Sequence, residues 1–377
     1  MRVLFAGGGT AGHINPALAI AGYLREMEPD SVILYVGNEG GMEERLVPAA
    51  GFDFRSVKIS GFQRKLSLQN IKRNMQTMVR VVTSTQQAKK IIREFKPDIC
   101  VGTGGYVSGP VIREAMKLGI PAVIHEQNAY PGVTNKMLAK KASRVMLAVA
   151  DAQRHFDAGA RCILTGNPVR QELSRADKED SRRTLGLDAR PLILSFGGSL
   201  GARSVNEAVA DLLVRSARTG KYQHIHGYGQ YAKWMPQLVA DKGLDLKEYP
   251  NIELREYIHN MPECMAAADL VICRAGAITL SELQALGKAS ILIPSPNVAE
   301  NHQYHNAMAL VKRNAAVLIG EKDLTGELLW QKVEEIFARP GGAEELGANA
   351  AKMAIPDACQ RIAAIMHEVV REQRSRS

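Results

Sequence analysis

At 377 residues the chain exceeds what one ordinary hydrophobic core supports, and its size suggests two to three domains of ~150 residues each. An apolar content of 46% and a charged content of 23%, with no low-complexity tract, exclude the disordered and collagen-like classes. A net charge of +9 calls for an anionic partner, but 5% aromatics with no basic–aromatic interleaving speak against nucleic acid and leave an anionic membrane face or a phosphate-bearing ligand. Five scattered cysteines (Cys100, Cys162, Cys264, Cys273, Cys359) fit neither a disulfide framework nor a metal knuckle, which predicts a reducing compartment. The first apolar run stops at three glycines, and no run approaches the ~20 residues of a membrane span. The expectation is a soluble cytoplasmic protein.

Short β-branched runs alternate with longer helical segments, the pattern of βαβ units and a parallel sheet. The first predicted strand, residues 3–6, runs into Gly7-Gly8-Gly9-Thr10-Ala11-Gly12-His13. The glycines satisfy GxGxxG, but the strand over 32–36 is followed by Gly37-Asn38-Glu39, with the acid displaced into the loop. That disfavours a dinucleotide, and no GxxxxGK[ST] supports a Walker site. His13 sits just inside a helix, where it is suited either to accept a proton or merely to hold a neighbouring loop. After the strand over 54–57, residues 66–95 carry an amphipathic stripe (Leu68, Ile71, Met75, Met78, Val82) flanked by Lys65, Lys72, Arg73 and Arg80. It reads either as a core-facing helix with a solvated basic face or as a surface for anionic headgroups.

The strand over 98–102 opens Thr103-Gly104-Gly105-Tyr106, and that over 122–125 ends in His125-Glu126-Gln127-Asn128, read as recognition groups entering a cleft, with Gln127 also explicable by loop solvation. A strand over 144–149 precedes Gly166-Asn167-Pro168-Val169-Arg170, whose arginine either clamps a diphosphate or makes a structural salt bridge. The polar stretch from Gln171 to Arg190 predicts the domain boundary. A second strand series follows over 192–196, 222–225, 252–255, 270–273, 290–293 and 316–319. Its turns Gly197-Gly198-Ser199 and Arg274-Ala275-Gly276-Ala277-Ile278-Thr279 again stand between strand and helix, where backbone N–H groups suit phosphate. Glu282 is either a dipole partner or an acceptor of ribose hydroxyls, and Asn301 to Asn306 either a solvated helix start or a reader of sugar hydroxyls. With no DxD, HExxH, Cys/His cluster or GxSxG, neither a metal nor an acyl-enzyme mechanism is expected.

Taken together and in this order, the Gly7 to Ala17 turn, the Gly102 to Pro110 loop, His125 to Asn128, Gly166 to Arg170, Gly197 to Ser199 and Arg274 to Glu282 closely resemble the MurG family of bacterial peptidoglycan glycosyltransferases. The resemblance spans nearly the whole chain and implies an α/β GT-B fold: two Rossmann-like domains with parallel sheets facing a deep cleft. It implies domains over 1–165 and 166–355, with a C-terminal helix over 356–377 (apolar at Ile362, Ile365 and Val369) crossing back to the first. It further implies inverting, metal-independent transfer of N-acetylglucosamine from UDP-GlcNAc to the 4-hydroxyl of lipid I, without a cofactor, at the cytoplasmic membrane face.

By the same resemblance the donor is met by Thr10, Ala11, Gly12, Asn128, Arg170, Ser199, the Ile258 backbone, the run Ala277, Ile278, Thr279, Leu280, Ser281 and Glu282, and Gln303. The acceptor is met by Gly9, His13, Gly104, Gly105, Tyr106 and Ser108. His13 is the first candidate base and Glu126 the second. Ala11, Leu200 and His302 depart from residues frequent in the family; only the last bears on which side chain touches the sugar. A UDP-GlcNAc 2-epimerase of the same framework and a non-catalytic nucleotide-sugar sensor are the alternatives.

Overall fold

The computed structural model describes residues 1–59, 83–169, 173 and 176–375. Two units divide the chain: Met1–Val169 with Ile355–Ser377, and Arg170–Ala354. In the first, seven strands run parallel: β1 (Arg2–Gly7), β2 (Val32–Asn38), β3 (Asp53–Val57), β4 (Ile99–Gly104), β5 (Ala122–Glu126), β6 (Arg144–Leu147) and β7 (Cys162–Leu164). Their order is β3-β2-β1-β4-β5-β6-β7, so the winding reverses between β1 and β4. In such sheets the carboxyl ends at the reversal open a crevice for ligands. There the register slips after Ala6, pairing Gly7 with Gly104, and both strands give way to glycine turns. β7 was absent from the sequence reading because its apolar run, Cys162-Ile163-Leu164, is only three residues long and partly exposed at the sheet edge.

The second unit repeats the plan with β8 (Leu192–Phe196), β9 (Gln223–Gly227), β10 (Ile252–Arg255), β11 (Leu270–Cys273), β12 (Ala289–Leu292) and β13 (Val317–Leu318) in the order β10-β9-β8-β11-β12-β13. Every residue of β8 and β11 is buried, as expected of central strands covered by helices on both faces. Its winding reverses between β8 and β11, which places the Gly197 and Arg274 turns side by side.

The stretch from Gln171 to Arg190 is not a simple linker. Residues Lys178–Thr184 form a helix of the second unit, anchored where Lys178 Nζ and Arg182 Nη1 reach Asp269 at 2.6 and 3.1 Å. Two of the charges that made the stretch look like a boundary are spent on that contact.

The C-terminal helix Ala358–Arg374 packs in the first unit, burying Ile362, Ile365, Met366, Val369 and Val370 in one core with Ile14, Ile20 and Leu24 of the helix Ala11–Met27. Each such side chain contributes about 1.5–3 kcal/mol. Arg144 Nη2 bonds Glu368 and Glu372 at 2.7 and 2.6 Å, and Arg374 reaches Asp98 at 3.1 Å, so the helix is tied at its charged end as well.

Candidate active site

In the first unit the crevice is built from three turns. Gly9, Gly104 and Gly105 hold φ of +84°, +101° and +78°, which only glycine adopts without strain. A Cβ on Gly105 would lie 2.2 Å from the Gly8 carbonyl oxygen, and one on Gly104 2.9 Å from His13 Nδ1. The two glycine turns therefore meet backbone to backbone, with the His13 ring seated over Gly104. Thr103 Oγ1 donates to the His13 carbonyl at 2.8 Å, fixing the helix start against β4. Tyr106 lays its ring on Gly9, while Thr10 and Gly12 stand exposed and Ala11 half-buried beside them.

The residues after β5 turn inward rather than outward. His125, Glu126 and Gln127 are all buried, which corrects the expectation that they enter a cleft or serve solvation. Glu126 Oε1 accepts from the backbone and side-chain amides of Asn128, both at 3.0 Å. Its Oε2 accepts from Gly132 N–H at 3.0 Å and Asn135 Nδ2 at 2.8 Å. A carboxylate so enclosed is committed to shaping the turn that carries Asn128, and has no open lone pair aimed at substrate. Glu126 is accordingly withdrawn as the second base. Gln127 Nε2 donates to Thr103 O at 2.9 Å and approaches His125 Nδ1 at 3.1 Å, while its Oε1 lies 3.3 Å from His13 Nδ1. His125 Nε2 donates to Gly166 O at 2.9 Å, and burial holds its ring below the usual imidazole range.

Ser108 is corrected too. It is fully buried, with Oγ where a Cβ on Gly102 would come within 2.7 Å, so its hydroxyl is turned to β4 and away from the surface of the crevice.

Glu43 escaped the sequence reading. It is wholly buried beneath the first turn, accepting Asn38 N–H at 2.8 Å and Gly9 N–H at 3.3 Å. A Cβ on Gly8 would fall 2.2 Å from its Oε1. Burial, and then its negative charge, push the Tyr35 and Tyr106 phenols upward. Tyr35 donates to Gly7 O at 3.1 Å from the same side. Only glycines 8, 37 and 41 around this acid would have signalled it.

In the second unit the turn after β8 crosses the turn after β9. Gly201 (φ +86°) and Gly229 (φ +84°) touch so closely that a Cβ on Gly201 would lie 2.2 Å from the Tyr228 carbonyl oxygen. Ser199 is exposed on that turn. The Ile258 side chain is buried against Gly227, which leaves its backbone as the part available to a ligand.

After β11, Arg274 Nη1 pairs with Glu321 and donates to Ile293 O at 3.2 Å, with Nη2 3.4 Å from Ser204 Oγ. The helix Ala277–Ala285 begins its ladder with Leu280 N–H on Gly276 O at 3.0 Å, so the N–H groups ahead of it belong to Ala277, Ile278 and Thr279. Leu280 is corrected on that ground: its amide is spent in the ladder and its side chain is buried. Ser281 Oγ donates back to Ala277 O at 3.1 Å. Glu282 is buried, and its charge adds to the burial that drives the Cys273 thiol up to about 12.

The helix His302–Val311 ties these turns together. Gln303 Oε1 accepts Ser295 N–H at 2.8 Å, Asn306 Nδ2 donates to Ala275 O at 3.3 Å, and His302 Nδ1 donates to Ala299 O at 2.8 Å. Glu300 and Asn301 just before it both hold left-handed φ, +53° and +49°, a costly pair outside glycine. Arg170 and the stripe from Leu68 to Val82 lie outside the described residues. Among the described residues no group of three or more His, Cys, Asp or Glu is arranged to hold a metal ion.

Residues 3–147 match the Glycosyltransferase family 28 N-terminal domain and residues 192–362 the Glycosyltransferase family 28 C-terminal domain. A relative from Acetivibrio thermocellus, named UDP-N-acetylglucosamine--N-acetylmuramyl-(pentapeptide) pyrophosphoryl-undecaprenol N-acetylglucosamine transferase, is 43% identical over 99% of this chain and 99% of its own. Among solved structures, MurG of Acinetobacter baumannii aligns with a TM-score of 0.77 at 29% identity, covering 97% of this chain and 99% of that one. A UDP-GlcNAc 2-epimerase from Neisseria meningitidis, solved with UDP-GlcNAc bound, aligns with a TM-score of 0.67 over 98% and 100% of the chains, but at 14% identity the likeness is one of fold alone.

Proposed function

Because this chain belongs to glycosyltransferase family 28, we propose that it transfers N-acetylglucosamine from UDP-GlcNAc to N-acetylmuramyl-(pentapeptide) pyrophosphoryl-undecaprenol. The observation that carries this reading is the end-to-end 43% identity to a relative named for that reaction. The finer mechanism is inverting attack of the muramoyl 4-hydroxyl on the anomeric carbon. The bond to the UDP oxygen breaks, the proton passes to His13, and UDP departs as an anion.

In this reading the second unit holds the donor. Ser199 and the N–H groups of Ala277, Ile278 and Thr279 meet the diphosphate, with Arg170 adding charge. Glu282 accepts the ribose hydroxyls, the Ile258 backbone reads uracil, and Gln303 reads the sugar. In the first unit the turns at Gly9 and at Gly104 to Tyr106 seat the acceptor diphosphate, while Thr10 to Gly12 and Asn128 approach the donor sugar. The developing charge on UDP is met by backbone dipoles and arginine, so the mechanism runs without a metal.

Attachment to the anionic, cytoplasmic face of the membrane belongs to the same proposal. Among the described residues no helix is long and apolar enough to cross a membrane. Val133 (55% exposed) and Met137 (66%) stand out from the first unit on a helix that also carries Lys136, and the chain's net charge is +9.

The test is UDP release from UDP-GlcNAc in EDTA, with and without a lipid I analogue. Release that requires the analogue supports the transferase. Release or epimerised donor without it would move the assignment to the epimerase, and binding without turnover to a sensor. A second expectation concerns Glu282. Glu282→Ala should raise the KM for UDP-GlcNAc about 10- to 100-fold, the equivalent of the ~1.5–3 kcal/mol typical of a hydrogen bond to a charged group. Acceptor KM should stay unchanged; steady-state kinetics with each substrate varied in turn distinguish the two.

A further inference from the structure

We propose that Gln127 is a positioning residue that fixes the tautomer of His13, holding the proton on Nδ1 and leaving Nε2 as the acceptor. The inference rests on the reading of His13 as the base, but its geometry stands independently. A side-chain amide can be turned end for end, so its direction must come from its neighbours. Gln127 Nε2 lies 2.9 Å from Thr103 O and 3.1 Å from His125 O, both backbone carbonyls that can only accept. The reversed amide would set oxygen against oxygen twice in a fully enclosed position, where unmade hydrogen bonds are expensive.

His125 supports the same direction. Its Nε2 faces the Gly166 carbonyl at 2.9 Å and must donate, so in the neutral ring Nδ1 is an acceptor, 3.1 Å from Gln127 Nε2. Gln127 Oε1 is thereby turned to His13, 3.3 Å from Nδ1, and an oxygen there demands a donor. The line from the Gly166 carbonyl through His125 and Gln127 thus ends on His13 with Nδ1–H. Neutral imidazole in water prefers the other tautomer, in which Nε2 carries the proton and cannot act as a base. The residue that turns that preference over is a buried glutamine with no contact to the reacting atoms.

The experiment is nitrogen-15 NMR of the histidine rings in the full chain near pH 8, with the His13 signals identified by their loss in His13→Ala. The expected result is Nδ1–H for wild type and a return to Nε2–H in Gln127→Ala. Wild-type His13 found as Nε2–H overturns the inference without reference to any variant. In kinetics, Gln127→Ala should lower kcat about 10- to 100-fold while KM for UDP-GlcNAc moves less than ~2-fold. A variant that keeps both the wild-type kcat and the Nδ1–H signal likewise rejects the role. If His13→Ala retains its rate while the NMR result holds, the assignment of the base fails and the tautomer assignment survives.

Discussion

His13→Ala is expected to lower kcat about 10²–10⁴-fold, the usual contribution of a positioned general base, while UDP-GlcNAc affinity stays within ~2-fold. The backbone of His13 is held by Thr103 at its carbonyl, and its ring from two directions, with Nδ1 beside Gln127 and a face over Gly104, where no side chain intervenes. It belongs to the first unit, whereas the diphosphate and ribose contacts proposed for the donor belong to the second. A loss confined to the chemical step therefore separates it from a residue that only binds. Single-turnover rates with saturating acceptor analogue, paired with UDP titration, make the comparison. A rate within ~3-fold of wild type would remove His13 from the mechanism. Glu126→Ala should behave differently. Removing a carboxylate that accepts four N–H groups strips the buried Asn135 amide of its 2.8 Å acceptor and loosens the half-buried turn at Asn128, so a fall in stability should accompany any loss of rate.

The strands were legible because central parallel strands are written as uninterrupted apolar runs, and the predicted run over 192–196 coincides with β8. The turns were legible because only glycine tolerates their φ and close approach. Which way a polar side chain points was harder to read. His125 and Gln127, two apart at and just past the end of β5, share one side of a sheet covered on both faces, so position gave no inward or outward side. Ser108 was decidable in principle: it lies three and four residues before Val111 and Ile112, on the buried stripe of its helix. Tyr106, two residues earlier, falls on the other face. Glu43 was not decidable from spacing, since an acid after Met42 at a helix start looks like an ordinary dipole partner. Its burial arises where Gly8 of the first turn closes on Gly37 at the end of β2 and Gly41 in the turn after it, a tertiary event in which only the last two are near in sequence.

Lowering the pH from 7 to 5 is expected to cost the second unit up to ~4 kcal/mol of stability, through two histidines that play no part in the proposed chemistry. His224 and His226 lie on β9, fully enclosed. His224 Nε2 meets Ser216 Oγ at 2.7 Å and His226 Nδ1 meets Ser195 Oγ at 2.8 Å. Burial pushes their pKa values down to about 3 and about 4, with the neighbouring His226 lowering His224 further. Because both folded values are depressed, the unfolded chain takes up protons that the folded unit refuses once the pH falls below ~6.5. Stability is therefore fully present above that pH and is lost progressively down to about 4 and 3, at ~1.4 kcal/mol per pH unit for each ring. Carboxylates of the same unit held below their usual range, such as Glu334 and Asp188, act at lower pH and leave the interval from 6.5 to 5 to the histidines. Both tryptophans of the chain, Trp234 and Trp330, belong to this unit, so fluorescence-detected urea unfolding reports on it selectively. A midpoint that stays constant from pH 7 to 5 would mean that the rings are already protonated in the folded state or equally shielded in the unfolded one. Either outcome removes the difference in proton uptake between folded and unfolded chains on which this expectation rests.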